Sequence, residues 1–323
     1  MVTISVCMIV KNEEDKLAAC LDGLKSIADE IIIVDTGSSD DTKKIAAKYT
    51  DKIYDYKWTG SFADARNHAF GLATCDYIYS ADADETLDEK NTAAFGRLKE
   101  VLDERVDIVQ MYYCNQLSNN TIYNFDKELR PKLYKRVRGF VWEEAIHEAV
   151  RLDPVVINCD IEIIHNPSEG HAARDLHAFE QMVSENPQNI SDRLIDIYAK
   201  ELYIAGEKEN FIAAGKLFGP LCDKDEISEE LLTVALAVAA KAARYRGDIA
   251  GFIKYAMRAA AGNLMCSELC YEIADYYMSV GDVKEAHLWY YNAANEVIPS
   301  MNIKYQDELP NEAIKKCEQM LGL

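Results

Sequence analysis

The chain has 323 residues, with 35 lysines and arginines against 55 aspartates and glutamates, a net charge of −20 with histidine neutral. Hydrophobic residues make up 49% and charged residues 28%, which excludes a disordered chain, a fibrous repeat and a small disulfide-stapled scaffold. The length predicts about two domains with buried cores, and the acidity argues against a nucleic-acid or anionic-membrane surface, because both demand positive charge.

The chain opens on Val2-Thr3-Ile4-Ser5-Val6, which reads as a strand and lacks the layout of a signal peptide. Thr3 to Val10 is a buried strand by its β-branched and apolar content. Asn12 is placed to cap a helix, with Glu13, Glu14 and Asp15 in its first turn, where the helix dipole favours anions. Ile31 to Val34 is a second apolar strand, ending in the polar loop Asp35 to Asp41. A helix from about Asp41 to Tyr49, a strand-like Lys52 to Trp58, a helix from Phe62 to Ala73 and a strand from Asp76 to Ser80 follow. Asp82-Ala83-Asp84-Glu85 comes at once after that strand. This alternation predicts an α/β domain with a mostly parallel sheet covered on both faces. Ligands bind at the carboxyl ends of strands in such sheets, so the polar loops should converge on one edge.

Beyond Asn166 the strand signals cease, after a last strand from Val155 to Ile164. Gly247-Asp248 and Gly281-Asp282 recur at a spacing of 34 residues, with Ala240/Ala274, Ala259/Ala293 and Ala260/Ala294 at the same offset. A degenerate third copy spans Tyr198 to Gly206, followed by Phe211 and Ala214. This period resembles tetratricopeptide repeats, all-α helix pairs that present a binding surface. Tyr271, Tyr276, Tyr277, Trp289, Tyr290 and Tyr291 should fill or line that array. The nine cysteines show no C-x-x-C pair, and Cys266 and Cys270, one helical turn apart, read as buried apolar thiols. The longest apolar run, Leu231 to Ala240, is too short to span a bilayer. A cytoplasmic protein is expected, with no nucleic-acid partner and no integral membrane segment.

Asp82 and Asp84 are the sharpest chemical feature. Two carboxylates at a strand end can both reach a ribose or a hard cation, and Mg²⁺ or Mn²⁺ keeps coordination positions for phosphate oxygens. Asp35, also at a strand end, can accept from a nucleobase N–H or a ribose hydroxyl, or else cap the next helix. Arg66 suits a phosphate, or else a surface ion pair.

Four segments carry a resemblance: Cys7-Met8-Ile9-Val10-Lys11-Asn12-Glu13-Glu14, then Ile33-Val34-Asp35-Thr36-Gly37-Ser38-Ser39-Asp40-Asp41-Thr42, then Ala65-Arg66-Asn67-His68-Ala69, then Ala81-Asp82-Ala83-Asp84-Glu85. In order and spacing they are similar to the motifs of family 2 glycosyltransferases, enzymes of GT-A fold that use nucleotide sugars. The resemblance covers residues 1–170 and implies a catalytic domain there, with residues 171–323 forming the helical domain for acceptor binding or dimerisation. It implies that Val10, Asn12, Glu14 and Asp35 hold the nucleoside. Arg66, Asp82 and Ala83 would also face the nucleotide sugar, and Asp84 and Asp82 the metal. Many relatives carry a second aspartate where Thr36 stands.

Arg130-Pro131-Lys132-Leu133-Tyr134-Lys135-Arg136, followed by Trp142-Glu143-Glu144-Ala145-Ile146-His147-Glu148, is similar to the acceptor-side motif of one branch of the family. An acceptor needs a general base opposite the leaving diphosphate; Glu148 is the first choice and Glu144 the second, with His147 orienting the acceptor or touching phosphate. The resemblance also implies His165, after the strand Val155 to Ile164, as a candidate third metal ligand, or else a strand-end histidine that is simply hydrogen-bonded. Lys132, Lys135, Arg136 and Arg138 form the main basic cluster, from which Lys135 and Arg136 are expected at the phosphates. The resemblance thus implies an inverting, Mn²⁺- or Mg²⁺-dependent hexosyltransferase using a UDP-sugar of the UDP-glucose or UDP-GlcNAc type. With the helical repeats, it is similar to bacterial glycosyltransferases that modify serine, threonine or cysteine in peptides. A builder of cell-surface polysaccharide and a non-catalytic repeat scaffold are the alternatives. A nucleotidyltransferase is disfavoured because Glu13 and Glu14 would repel a triphosphate.

Overall fold

The computed structural model describes residues 1–114, 127–153, 155–166 and 171–322. Contacts divide the chain into two compact units, the first ending at Glu169 and the second reaching Leu323. The expected junction at residue 170 lies outside the described residues.

In the first unit, β1 (Ile4–Val10) and β2 (Glu30–Asp35) are buried along almost every residue, as strands covered on both faces must be. Alternation sorts their side chains. Ile4, Val6, Met8 and Val10 pack with α1 (Leu17–Leu24) in one core, while Cys7, Ile32 and Val34 face a second core. After α2 (Thr42–Ala46) and the short β3 (Ile53–Asp55), α3 (Phe62–Leu72) supplies Ala63, Ala69 and Phe70 to the second core. β4 (Tyr77–Ala81), β5 (Glu85–Thr86), α4 (Glu89–Val101), β6 (Ile108–Cys114), β7 (Glu128–Lys135) and β8 (Val156–His165) complete the unit.

Among the described residues the sheet has the order β3-β2-β1-β4-β7-β6-β8-β5. β3, β2, β1 and β4 run parallel, and β8 runs parallel to β6. β7 is antiparallel to both β4 and β6, and β5 to β8. The result is the mixed, mostly parallel sheet with flanking helices of the GT-A type.

One local expectation fails. Asn12 does not cap α1, which begins at Leu17. Its backbone takes a left-handed φ of 55°, and its Oδ1 accepts the backbone N–H of Ser39 at 2.8 Å. Asn12 tolerates that conformation better than most residues, so the chain turns out of β1 there and joins the next loop instead.

The second unit is all helix: α5 (His171–Glu185), α6 (Asp192–Ala205), α7 (Lys208–Cys222), α8 (Glu229–Tyr245), α9 (Ile249–Ala261), α10 (Ser267–Ser279), α11 (Val283–Asn295) and α12 (Glu308–Leu321). The 34-residue spacing is one joint built twice. Gly247 and Gly281 sit at φ 76° and 85°, where only glycine is unstrained. Asp248 and Asp282 then cap α9 and α11 through the backbone N–H groups of Gly251 and Glu285. Between α6 and α7 the joint is degenerate, with Gly206 extended at φ −71° and Glu207 capping α7 with Asn210.

Inside this unit Lys241 is buried with its Nζ 2.8 Å from Glu272 Oε1, among the rings of Tyr203 and Phe211. Tyr290 is buried, Tyr271, Tyr277 and Trp289 are partly buried around it, and Tyr291 is exposed. Cys266 and Cys270 are buried, and burial pushes the Cys270 thiol up to about 12. Among the described residues no helix is long and apolar enough to cross a membrane.

Two predictions follow from these contacts. Burial opposes ionisation of Glu30, but hydrogen bonds from Lys52, Ser5 and Thr74 outweigh it and draw its carboxyl down to about 2. A depressed folded pKa contributes stability that is present above the unfolded value of 4.5 and lost as pH falls towards 2. Glu30→Gln should cost about 2–3 kcal/mol in urea unfolding at pH 7, with the deficit shrinking below pH 4.5. Asp248→Ala should cost about 1 kcal/mol through loss of the α9 cap, read by the same method.

Candidate active site

The parallel strands finish together. Val10 at the end of β1 stands opposite Asp35 at the end of β2, and Met8 opposite Ala81, so Asp82 emerges from β4 on the same edge. Two loops lock there. The backbone N–H of Asn12 donates to Ser38 Oγ at 2.9 Å, and that of Glu13 to Thr42 Oγ1 at 2.7 Å. Glu14 Oε2 accepts from the backbone of Asp41 at 2.9 Å, and the Val10 carbonyl accepts from Thr36. Asn12, Glu14 and Val10 thus shape the edge through loop contacts of their own.

Asp35 is 2% exposed. Its Oδ1 accepts the backbone N–H groups of Gly37 and Ser38, each at 2.9 Å. Its Oδ2 is buried and has no hydrogen-bond partner among the described residues. A buried carboxylate oxygen left unmatched is costly unless a ligand donates to it.

Asp82 and Asp84 point their carboxylates to different partners. Asp82 Oδ1 lies 2.7 Å from Arg66 Nη2. Burial opposes its ionisation, yet Arg66 and Lys132 hold it well below the usual carboxylate range. Asp84 Oδ2 lies 3.4 Å from His165 Nε2, and the Asp84 carbonyl accepts from the backbone of Asn166 at 2.9 Å. Asp84 and His165 are brought together, and Asp82 is drawn towards Arg66 instead. Ala83, between them, is buried. Glu13 stands nearby, raised above its ordinary value by burial and by Asp84.

Arg66, on α3, joins both sides of the site. Its Nε lies 2.5 Å from Glu148 Oε1, its Nη1 donates to Ser80 Oγ at 3.0 Å, and its guanidinium lies over the Trp142 ring at 5.0 Å. Asn67 grips the Trp142 backbone twice, donating to the carbonyl at 2.9 Å and accepting from the N–H at 2.8 Å. The segment from Trp142 to Glu148 is not a helix. Glu143 and Ala149 form an isolated bridge, while Glu144 and His147 take φ of 71° and 48°. The N–H of Phe62 at the start of α3 donates to the Ala145 carbonyl at 2.8 Å. Glu148 therefore meets Asp82 across one guanidinium, with Glu144 and His147 in the same turn-rich segment.

Lys135 and Arg136 do not join them. Lys135 stands opposite Tyr77, where β4 begins, and its Nζ donates to the Glu104 carbonyl. Arg136 Nε donates to the Cys75 carbonyl at 2.5 Å. Because β7 runs antiparallel to β4, the end of the basic segment lands at the far edge of the sheet. The earlier Lys132 is buried near the site instead, 2.5 Å from Glu85. Arg138 lies 3.4 Å from Asp107. Sequence reasoning gave no structural role to Asn67, Ser80 or Lys16, whose Nζ donates to the Asn166 carbonyl at 2.6 Å. Asn67 was marked only by its place beside Arg66.

Residues 5–151 match the sequence model of glycosyl transferase family 2. This part of the chain is a family 2 glycosyltransferase domain. The chain is 27% identical over 220 residues to the SPbeta prophage-derived glycosyltransferase SunS of Bacillus subtilis, covering 65% of this chain and 51% of that one. It is 44% identical over 87 residues to a TPR repeat-containing protein of Synechococcus elongatus, covering 27% of this chain and 22% of that one. It thus spans between about a fifth and a half of the length of these curated relatives. Among solved structures, glucosyl-3-phosphoglycerate synthase from Mycobacterium tuberculosis, in complex with Mn²⁺ and UDP-glucose, aligns at a TM-score of 0.41 and 14% identity, covering 57% of this chain and 78% of that one.

Arg66 neutralises two half-buried or buried carboxylates in the family 2 domain. Arg66→Met should therefore destabilise the protein by about 3 kcal/mol in urea unfolding, with Glu148→Gln in the same chain recovering part of the loss.

Proposed function

We propose that the family 2 domain transfers a hexose from a UDP-sugar, with inversion, to a serine, threonine or cysteine of a peptide or protein. The carrying observation is the convergence at one sheet edge of the unmatched Asp35 Oδ2, the Asp84–His165 pair and the Arg66 bridge from Asp82 to Glu148. Each suits one part of a nucleotide sugar and its acceptor.

Asp35 Oδ2 accepts a donor N–H or hydroxyl of the nucleoside, seated between the loops that Asn12, Glu14 and Val10 shape. Asp82 and Ala83 line the ribose side. A divalent cation fits Asp84 and His165. Their facing donor atoms are 3.4 Å apart, close to the roughly 3 Å between adjacent ligands on an ion with bonds of about 2.1 Å. Mn²⁺ or Mg²⁺ bound there would neutralise charge on the departing diphosphate. Asp82, engaged by Arg66, acts in this reading on the nucleotide rather than on the ion.

Glu148 takes the proton of the acceptor hydroxyl or thiol. Its tether to Arg66 holds it in place, and the Asn67 and Phe62 contacts hold its segment against α3. Glu144 is the second choice for the base, and His147 orients the acceptor. The helical unit supplies acceptor binding or pairs two protomers, a role supported by its repeated helix joints. Lys135 and Arg136 have no part in the donor site.

The test is UDP release from a panel of UDP-sugars with Mn²⁺. One donor should be slowly hydrolysed without acceptor and consumed faster with acceptor peptide. Asp84→Asn should abolish the Mn²⁺-dependent part of calorimetric UDP binding while leaving the fold intact. Unchanged affinity in that variant would remove Asp84 from the metal site. Glu148→Gln should lower kcat by about 100-fold or more with little change in donor KM.

A further inference from the structure

Behind the Asp82-Ala83-Asp84 turn lies a second charge system. Lys132 on β7 and Glu85 at the start of β5 are both almost wholly buried, their side chains 7% and 3% exposed, and Lys132 Nζ lies 2.5 Å from Glu85 Oε1. The other oxygen, Oε2, accepts the backbone N–H of Asp82 at 3.3 Å. The Glu85 N–H returns to the Asp82 carbonyl at 3.1 Å. The turn is therefore closed on one carboxylate whose charge Lys132 matches.

The same ammonium lies 5.4 Å from the centre of the Tyr113 ring, and that ring packs on the His165 imidazole at 4.8 Å. Glu85 also pairs with His165 across β5 and β8. One buried cation thus supports the Asp84 half of the pair through Glu85, and it shares the Tyr113 ring beneath His165 with Arg130, whose guanidinium lies 4.1 Å from the ring centre. Its burial and its bond to Glu85 keep it from the diphosphate itself. A buried ion pair contributes little net stability over an apolar pair of the same volume, so the gain from this one is sought in geometry.

We infer that Lys132 is a positioning residue. Through Glu85 it sets the Asp82-Ala83-Asp84 turn, together with Arg130 it braces the Tyr113 ring under His165, and a divalent cation with its nucleoside diphosphate then meets preformed donors. The inference rests on the cation-dependent transferase reading above. A misplaced ligand shell costs affinity about tenfold or more even when every ligand is retained.

The experiment is calorimetric titration of UDP into the full chain, with and without Mn²⁺, for the wild type, Lys132→Met, Lys132→Met with Glu85→Gln, and Tyr113→Leu. The double variant removes the charge that the single one leaves buried and unpaired, so it folds even where Lys132→Met does not. In the double variant the gain conferred by Mn²⁺ should fall at least about tenfold, beyond any loss of metal-free UDP affinity through Asp82 and Ala83. Tyr113→Leu should reduce that gain in the same direction. A merely structural role would lower the metal-free and Mn²⁺-loaded affinities by the same factor, and that result overturns the inference. So does a full Mn²⁺ gain in the folded double variant, which would leave the pair as charge balance alone. If the wild type itself shows no Mn²⁺ gain, the cation-dependent reading fails first and this inference with it.

Discussion

A single buried guanidinium organises the first unit. Arg66 comes from α3, Asp82 from the end of β4 and Glu148 from a segment with no regular structure of its own. Bringing two carboxylates into a poorly solvated site costs several kcal/mol unless a cation sits between them. Arg66 meets that demand with a planar fork that reaches both, plus Ser80, while its face lies on Trp142. The irregular segment then acquires a defined place. Asn67, one residue on, and the N–H of Phe62 hold its backbone from the same helix. The donor and acceptor sides of the proposed reaction are thereby built on one element.

Charge is sorted around this bridge in a way that the net value of −20 conceals. Asp82, Asp84 and Glu13 gather at the strand ends, and burial raises the last of these. Of the cations beside them, Arg66 and Lys132 are each committed to a carboxylate within the protein, and Lys16, which acts on Glu13, donates to the Asn166 carbonyl. Lys135, Arg136 and Arg138 follow β7 away from the edge, while Arg130, near the start of β7, lies over the Tyr113 ring at 4.1 Å. An anionic diphosphate entering such a place needs positive charge from elsewhere, which is what a divalent cation on Asp84 and His165 would bring. Asp35, by contrast, offers a neutral donor group an oxygen that no group among the described residues has taken.

The helical unit reaches its order by different means. Its joints repeat a local solution, a left-handed glycine followed by a capping aspartate. Its interior holds Lys241 against Glu272 and among aromatic rings, tying α8 to α10. The first arrangement involves residues next to each other in the chain. The second joins residues about 30 apart and exists only once the helices have packed.

The sequence by itself determined what depends on neighbours in the chain. Strands buried on both faces, polar loops at their ends, the two Gly-Asp joints and the Asp82-Ala83-Asp84 turn were legible because periodicity, capping and turn chemistry are short-range. Tertiary structure decided the partners. Arg66 and Glu148 are 82 residues apart, and no local pattern couples them. Asn12 looked like a helix cap because its type suits one, but a loop 27 residues on took its side chain. The fate of the basic segment turned on strand direction. An alternating pattern reads the same whether a strand runs up or down, yet the antiparallel course of β7 buried Lys132 beside Glu85 and carried Lys135 and Arg136 to the opposite edge. Side-chain chemistry was therefore written in the sequence, while the choice of which charges meet waited on the sheet's topology, because an ion pair depends on distance in space and strand direction sets that distance.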